Sequence, residues 1–181
     1  MSFLSLVNKR YSLRTYSEKP VPRHMIDNCL EAARLAPSAC NSQPWRFIVV
    51  EDTELKKKLG DAAFGSISRF NHFAFKAPVL VLIVSERTKF SAKFGSIVKK
   101  KNFSLIDIGI AAEHFCLQAA EQGLGTCMIG WFHEKNIKKL LSIPRFRRVE
   151  LMISLGYPTD ENVPAKNRKT INEMSGYNEY R

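Results

Sequence analysis

Apolar residues recur at helical spacing in several stretches of this 181-residue chain. The first predicted helix begins with Pro22 at its N1 position, where the missing N–H has no cost. The longest predicted helix covers 104–122 and is apolar almost all round, which is typical of a helix buried within a domain or against a partner subunit. Two shorter helices are also predicted, one capped by Asp52 or Thr53 and one that ends before Pro144.

Strand-like apolar runs lie between these helices. They are predicted at 47–50, 79–84, 126–132 and 149–155, and the run at 79–84 is continuous enough for a strand buried on both faces. Strands mixed with helices indicate an α+β or α/β architecture, and the pattern alone does not choose between them. The polar tail at 159–181 is predicted to be loose unless it docks on another surface.

Composition fits one domain that covers residues 1–181. Of all residues, 45% are hydrophobic and 25% are charged, which is ordinary for a globular protein. No apolar run approaches the roughly 18 residues of a membrane span, and the N-terminus does not resemble a secretory signal. We therefore predict a cytoplasmic protein that does not bind membranes. The cysteines and histidines show no zinc spacing, so no metal site is predicted.

The chain carries a formal net charge of +11 at pH 7. Part of the excess lies in residues 87–102, which contain several basic residues and no acidic one. A basic nucleic-acid-binding protein is therefore an alternative, although neither a zinc finger nor an aromatic RNA-binding pattern accompanies the charge. A solvated loop explains the cluster more simply, and nucleic acid is disfavoured as a partner.

Both ends of the chain carry basic residues at alternating positions. If the N-terminal segment is extended, Arg10, Ser12 and Arg14 lie on one side of it. Near the C-terminus, Lys166 and Arg168 repeat the alternation. Guanidinium groups match the geometry of phosphate and stay charged at any working pH. These two clusters predict an anionic cofactor, and a surface strand with solvated arginines is the alternative.

Two further stretches have the composition of a ligand site. Residues 36–47 combine two prolines, which prevent a helix, with small residues and the polar side chains of Ser38, Asn41 and Gln43, so a flat ligand could approach the backbone. Residues 127–131 end a predicted strand and contain one glycine. The alternatives are an ordinary helix-to-strand connection and a strand-end glycine. The chain has no dinucleotide-binding glycine pattern and no P-loop.

Three of these motifs, namely the N-terminal basic residues, the stretch at 36–47 and the C-terminal basic residues, resemble in this order those of the nitroreductase family of FMN-dependent flavoproteins. The resemblance extends from about Leu6 to Tyr180 and includes the order of predicted helices and strands. It implies a nitroreductase-like, three-layer α+β fold with a central mixed or antiparallel sheet flanked by helices. It also implies an intertwined homodimer in which the C-terminal extension at 159–181 docks on the partner subunit.

The same resemblance assigns FMN-binding roles to three sets of residues. Those that hold the ribityl phosphate in the family correspond to Arg10, Tyr11, Ser12, Arg14, Lys166 and Arg168, with Tyr11 at a variable position. Those that line the isoalloxazine ring from the opposite subunit correspond to Pro37, Ser38, Ala39, Asn41 and Gln43. Those that run along the ring correspond to Cys127, Ile129 and Gly130. A backbone N–H near this glycine is expected to donate to flavin N5.

The resemblance implies an oxidoreductase that moves two electrons from NADH or NADPH through flavin N5 to a small acceptor, such as a nitroaromatic or a quinone, in a ping-pong reaction. No catalytic side chain is expected. The basic loop at 87–102 is expected to border the pocket and could attract the extra phosphate of NADPH. A non-catalytic flavin-binding or storage protein is an alternative, and reductive dehalogenation and flavin fragmentation stay open within the same fold.

Overall fold

A computed structural model describes residues 1–65, 69–86, 102–160 and 162–180. The basic loop at 87–102, which was expected to border the pocket, lies outside these residues except for Asn102 at its end. The helices are α1 (Phe3–Lys9), α2 (Arg23–Arg34), α3 (Thr53–Phe64), α4 (Phe103–Glu121), α5 (Glu134–Leu140) and α6 (Ile171–Met174). The strands are β1 (Trp45–Val50), β2 (Val79–Ser85), β3 (Gly125–Ile129) and β4 (Val149–Gly156). Short 3₁₀ helices cover Ala39–Asn41 and Arg69–Lys76.

The four strands form one sheet in the order β1-β2-β4-β3, and all three neighbouring pairs are antiparallel. The predicted α+β class is confirmed, and of the mixed and antiparallel sheets left open by the sequence, the antiparallel one is observed. Parallel pairing in the described part of the chain is limited to an isolated bridge between Ser12 and Thr126. That bridge attaches the N-terminal segment to the free edge of β3.

Helices cover both faces of this sheet. Val79, Val81 and Ile83 of β2 pack into one core cluster with α2 and α4. The residues between them, Leu80 and Leu82, pack into a second cluster with α3 and α5. Because successive strand residues face opposite sides, a strand buried on both faces must be apolar throughout, as the sequence of β2 indicated. The result is the predicted three-layer arrangement.

Two predicted element boundaries are wrong. Pro22 is the N-cap residue rather than N1, because its ψ of 139° is extended and the helix begins at Arg23. Strand β3 ends at Ile129 rather than continuing to residue 132. Beyond it the backbone bonds elsewhere: the Trp131 carbonyl accepts from Asn71 Nδ2 at 3.2 Å, so pairing with β4 does not continue.

Helices α1 and α4 both carry apolar side chains that are exposed. Helix α1 was not predicted because none of its residues is buried, so it has no core-facing stripe. Its N-terminus is capped instead by Ser2, whose Oγ accepts from the Ser5 N–H at 3.2 Å.

On α4, Leu105 and Ile106 are 46% and 51% exposed. Burial of α4 all round is therefore not achieved within one chain. No described helix combines the length and the apolar character that crossing a membrane requires.

Glu134, at the start of α5, holds the first residues of β4. Its Oε1 accepts from the Val149 N–H at 3.1 Å, and its carboxylate pairs with Lys138 and Arg148. Burial raises the pKa of Glu134, but the hydrogen bonds from Val149 and Lys138 and the charge of Arg148 outweigh it, so the pKa lies below its usual value. Glu134 therefore stabilises the fold above its unfolded-state pKa of about 4.3, and this stabilisation is lost as pH falls through the folded-state pKa.

We expect Glu134→Gln to lower the free energy of unfolding by about 1–2 kcal/mol at neutral pH, because charge-assisted hydrogen bonds are lost. The deficit should shrink as the pH falls from about 4.3 through the lower folded-state pKa, because the wild-type carboxylate becomes protonated in the folded protein over that range. Urea unfolding of the wild type and the variant, from neutral pH down to acidic pH, measures this difference in the free energy of unfolding. Glu150→Gln, on the same strand, is the matched control. A deficit that stays constant with pH would contradict the assignment.

Candidate cofactor site

Residues 10–14, called the basic segment below, lie along the edge of β3. The Leu13 N–H donates to the Thr126 carbonyl at 2.9 Å, and Leu13 itself is buried. Close approach depends on Gly125, because a Cβ atom there would lie 2.3 Å from Leu13 Cδ2. With Leu13 turned inward, Ser12 and Arg14 are left exposed on the opposite side.

Three side chains of the basic segment lie close enough to the Cys127 thiol to affect its pKa. Burial raises the pKa of this thiol, and the charge of Arg14, a hydrogen bond with Ser12 and the charge of Arg10 each act against that increase. The structure therefore places Arg10, Ser12 and Arg14 together beside the first half of β3. Tyr11 is separate from them, because it packs with Leu13 in a small apolar cluster.

The C-terminal cluster meets the basic segment within one chain. Lys166 Nζ donates to the carbonyl oxygens of Val7 and Arg10, at 2.5 and 2.6 Å, at the end of α1. Burial, followed by the charges of Arg10 and Arg168, lowers the pKa of Lys166. Cations held this close repel one another, and a bound anion would relieve that repulsion. The bonds to Val7 and Arg10 also show that Lys166 joins the tail to the N-terminus.

Arg10 has a partner that sequence analysis did not identify. Glu113 Oε1 on α4 lies 3.2 Å from Arg10 Nε. This ion pair leaves the two terminal guanidinium nitrogens of Arg10 free of protein hydrogen bonds among the described residues. Nothing in the sequence marks Glu113, since it is one acidic residue in a long helix. The pair sets the direction of Arg10, which suits a bidentate contact with phosphate.

Residues 37–43, called the proline loop below, adopt an unusual backbone. Cys40, Asn41 and Gln43 have φ values of 52°, 51° and 45°, in the left-handed region that non-glycine residues adopt at a cost of about 1–3 kcal/mol each. The loop holds itself in place: Ser38 Oγ accepts from the Gln43 N–H at 3.0 Å, and Gln43 Nε2 donates to Asn41 Oδ1 at 2.8 Å. Strained residues of this kind concentrate at functional sites.

Asp107 of α4 anchors the proline loop to the core. Its Oδ1 accepts from the Ala39 N–H at 3.1 Å, whereas its Oδ2 is buried and has no hydrogen-bond partner among the described residues. The two anchors on α4, Asp107 for the loop and Glu113 for the basic segment, are six residues apart, or about 9 Å along the helix. No hydrogen bond or ion pair between described residues joins the loop to the basic segment or to β3. One chain therefore presents two separate half-sites.

We expect Asp107→Ala to lower the free energy of unfolding by about 1–3 kcal/mol, because it leaves the Ala39 N–H without its acceptor. Asp107→Asn keeps one acceptor oxygen and replaces the other by a donor, so its effect should be much smaller. Urea unfolding of the two variants makes the comparison. Equal destabilisation by both would show that the charge of Asp107, rather than its hydrogen bond to Ala39, is what stabilises the fold.

The end of β3 is open to a ligand. Gly130 is exposed, and a Cβ atom there would meet no heavy atom within 4 Å. Asn71 lies beside it, bonded to the next carbonyl, and the Phe73 ring lies under the Arg14 guanidinium, with 5.7 Å from Arg14 Cζ to the ring centroid. Asn71 and Phe73 were not predicted, because one amide within an aromatic stretch carries no recognisable pattern. They connect the basic segment to the Gly130 end of the strand.

A cavity of about 410 Å³ opens next to the site. It shares Arg10 and Tyr11 with the basic segment and extends under the end of α4 and the turn after β4, where Leu124, Tyr157 and Asp160 line it. Ser12, Arg14 and Gly130 do not line it. Of the predicted phosphate and ring contacts, Arg10 and Tyr11 therefore border this cavity, and these other three lie outside its lining.

The donor set beside β3 fits the FMN expected from the sequence. Ser12, Arg14 and Arg168 are exposed and could bind phosphate, and Arg10 is oriented by Glu113. Gly130 lets a planar ring approach the backbone. Lys166 Nζ already donates to two carbonyl oxygens, so its first role is to hold the C-terminal segment against the basic segment. The proline loop makes no hydrogen bond or ion pair with this donor set among the described residues.

Comparison with known proteins gives a consistent result. The sequence profile described as the Nitroreductase family matches residues 7–72 and 68–157. A relative from Archaeoglobus fulgidus, provisionally named NADH dehydrogenase/NAD(P)H nitroreductase, is 32% identical over 162 residues, which cover 87% of this chain and 86% of that one. Human iodotyrosine deiodinase 1 is 27% identical over 197 residues, covering 95% of this chain and 67% of that protein.

The solved structures include a protein described as an FMN-dependent nitroreductase from Clostridium difficile R20291. It superposes with a TM-score of 0.79 at 28% identity, covering 98% of this chain and all of that one. The profile match spans well over half of the chain, and the similarity to the Archaeoglobus fulgidus protein covers most of both sequences. The resemblance drawn from the three motifs is confirmed: this chain belongs to the nitroreductase family.

Proposed function

We propose that this protein is an FMN-dependent oxidoreductase that moves two electrons from NADH or NADPH to a small acceptor such as a nitroaromatic or a quinone. The observation that supports it most is the convergence of Arg10, Ser12 and Arg14 with the Lys166–Arg168 segment beside β3, whose open end is Gly130. Family membership and the similarity to an FMN-dependent nitroreductase support FMN as the cofactor.

Each residue in this proposal has a separate task. Arg14, Ser12 and Arg168 bind the phosphate of FMN through charge-assisted hydrogen bonds. Glu113 orients Arg10, and Lys166 keeps the tail against α1. The backbone around Gly130 lies along the ring, where an N–H donor stabilises charge that develops on reduction. Bound FMN supplies the two-electron chemistry, and the chain supplies position and electrostatics.

The working form in this proposal is a homodimer with two active sites. Exposed Leu105 and Ile106 on α4, and exposed Ile171, Met174 and Tyr177 in the tail, are apolar surfaces that one chain leaves uncovered. A partner that covers α4 would also bring its own proline loop to the basic segment of the first chain, joining the two half-sites. Nicotinamide and acceptor would then occupy the same ring face in turn, which is a ping-pong reaction.

An absorption spectrum tests the proposal. The purified protein is incubated with FMN, desalted, and treated without oxygen first with NADH and then with NADPH. We expect a retained flavin band that one of the nucleotides bleaches and that a nitroaromatic or a quinone restores. A retained band that neither nucleotide bleaches would support flavin storage instead. A folded protein that retains no flavin would contradict the site and favour binding of nucleic acid through the basic surface.

Reductive dehalogenation is a second candidate reaction at the same site. The supporting observation is the similarity to human iodotyrosine deiodinase 1 over 95% of this chain. Iodide release from iodotyrosine by the reduced protein would support it. Reoxidation by quinone or nitroaromatic without iodide release would support the first candidate.

A further inference from the structure

A largely exposed aromatic side chain adjoins the candidate site. Trp131 follows Gly130 directly, and 82% of its surface is accessible. Its backbone is nevertheless fixed on both sides: its carbonyl accepts from Asn71 Nδ2 at 3.2 Å, and two residues later the His133 N–H donates to the Ala63 carbonyl at 2.8 Å. The backbone that carries the indole is therefore held in a defined place, and the indole itself is mostly exposed.

We propose that Trp131 is a specificity residue, whose indole stacks against planar aromatic acceptors at the proposed FMN site. This inference rests on the proposed function, because the ligand surface that Trp131 extends is the one at the end of β3. Trp offers the largest planar surface of any side chain and prefers offset or edge-on contact with other rings. Such contact tolerates varied substituents, since every aromatic ring has a π face.

The shape of the chain next to Trp131 supports a ring rather than a charged ligand. Gly130 leaves at least 4 Å of open space where a side chain would stand, so a ring can approach the backbone and the indole together. Arg10, Ser12 and Arg14 act on Cys127, the middle residue of β3, whereas Trp131 lies two residues beyond Ile129, the last residue of the strand. The open backbone at Gly130 and the indole therefore lie next to each other, just past the end of β3.

The other tryptophan makes this inference measurable by fluorescence. The chain has two tryptophans, and Trp45 is partly buried against the core cluster that contains α2 and α4. In a Trp45→Phe variant, all tryptophan emission comes from Trp131. In a Trp131→Phe variant, all tryptophan emission comes from Trp45 at the core. Comparison of the two separates contact at the site from changes elsewhere in the fold.

The first experiment measures binding without turnover. The FMN-loaded protein is titrated with nitrobenzene in the absence of NADH and NADPH, and both tryptophan emission and the flavin difference spectrum are recorded. We expect saturable quenching in Trp45→Phe and little in Trp131→Phe. In the difference spectrum, Trp131→Ala should raise the Kd about 2- to 10-fold, as expected for a lost aromatic pair, and Trp131→Phe should recover most of the affinity.

The second experiment measures specificity during turnover. The KM for nitrobenzene and for 1,4-benzoquinone is compared with the KM for ferricyanide, which has no aromatic ring. In Trp131→Ala the ratio of aromatic to ferricyanide KM should rise by about 2- to 10-fold. Phe146→Ala removes another exposed aromatic side chain, 72% accessible, outside the site and is the matched control. An equal rise for all three acceptors in Trp131→Ala, or no rise, would overturn the inference.

Failure of this inference is distinguishable from failure of the proposed function. If wild-type protein retains FMN and is bleached by a nicotinamide nucleotide, but Trp131→Ala binds nitrobenzene as tightly as wild type, only the role of Trp131 is overturned. If wild-type protein retains no FMN, the proposed function fails and the role of Trp131 fails with it.

Discussion

The affinity for FMN is expected to fall about 10- to 100-fold when Arg14 is replaced by alanine. Arg14 is exposed on the same side of the basic segment as Ser12, next to Cys127. A guanidinium on a phosphate makes charge-assisted, bidentate hydrogen bonds, and hydrogen bonds to charged groups contribute about 1.5–3 kcal/mol. The Kd of FMN, measured from quenching of flavin fluorescence, checks the expectation.

Two further variants show whether the effect is specific. Arg14→Lys keeps the charge but loses the planar fork, so it should fall between wild type and Arg14→Ala. Arg34→Ala removes an exposed arginine on α2 that pairs with Glu31 and lies outside the site. It should leave the Kd close to the wild-type value. An equal loss of affinity in Arg34→Ala would indicate a general effect of net charge rather than a phosphate contact at Arg14.

The second large effect is expected at Gly125, where Gly125→Ala should lower the free energy of unfolding by about 1–3 kcal/mol through overpacking. The new Cβ would lie 2.3 Å from Leu13 Cδ2 and 2.8 Å from Leu13 Cβ. A side-chain rotation of Leu13 moves Cδ2 but not Cβ, so the backbone of the basic segment has to shift. Ser12 and Arg14 would shift with it, and FMN affinity should fall together with stability.

A double-mutant cycle with Leu13→Ala tests this cause. Leu13→Ala alone is expected to cost about 2–5 kcal/mol because it leaves a cavity. In the double variant the Cδ2 contact no longer exists, so the combined destabilisation, measured by urea unfolding, should be smaller than the sum of the two single effects. Additive effects would show that the cost of Gly125→Ala does not come from the contact with the Leu13 side chain beyond Cβ.

Most of the fold was predictable because its signals are periodic and local. The continuous apolar run of β2 indicated a strand covered on both faces, and the helical spacing of α4 gave a helix within one residue of the observed ends. Signals were weaker where burial is absent or where the partner is distant. Helix α1 has no buried residue, and β3 ends early because Asn71, a residue far away in sequence, takes the Trp131 carbonyl.

The same contrast between local signals and distant partners applies to the candidate site. Arg10, Ser12 and Arg14 were predictable because alternation in an extended segment puts them on one side, and the structure brings them together beside Cys127. The residues that hold the basic segment and the proline loop in place were not predictable. Glu113 and Asp107 are acidic residues on a helix, and their partners are identifiable only after α4 has packed against the basic segment and the proline loop.

The contact of Lys166 with α1 has a consequence for synthesis of the protein. Lys166 follows Arg10, whose carbonyl oxygen accepts its hydrogen bond, by 156 residues. The chain must therefore be translated past Lys166 before the two cationic clusters can meet. Strand β4 ends at Gly156, ahead of Lys166. A nascent or truncated chain that stops between them contains every strand of the sheet but only the N-terminal half of the proposed phosphate-binding cluster. Retention of FMN should therefore report complete translation, whereas formation of the sheet does not.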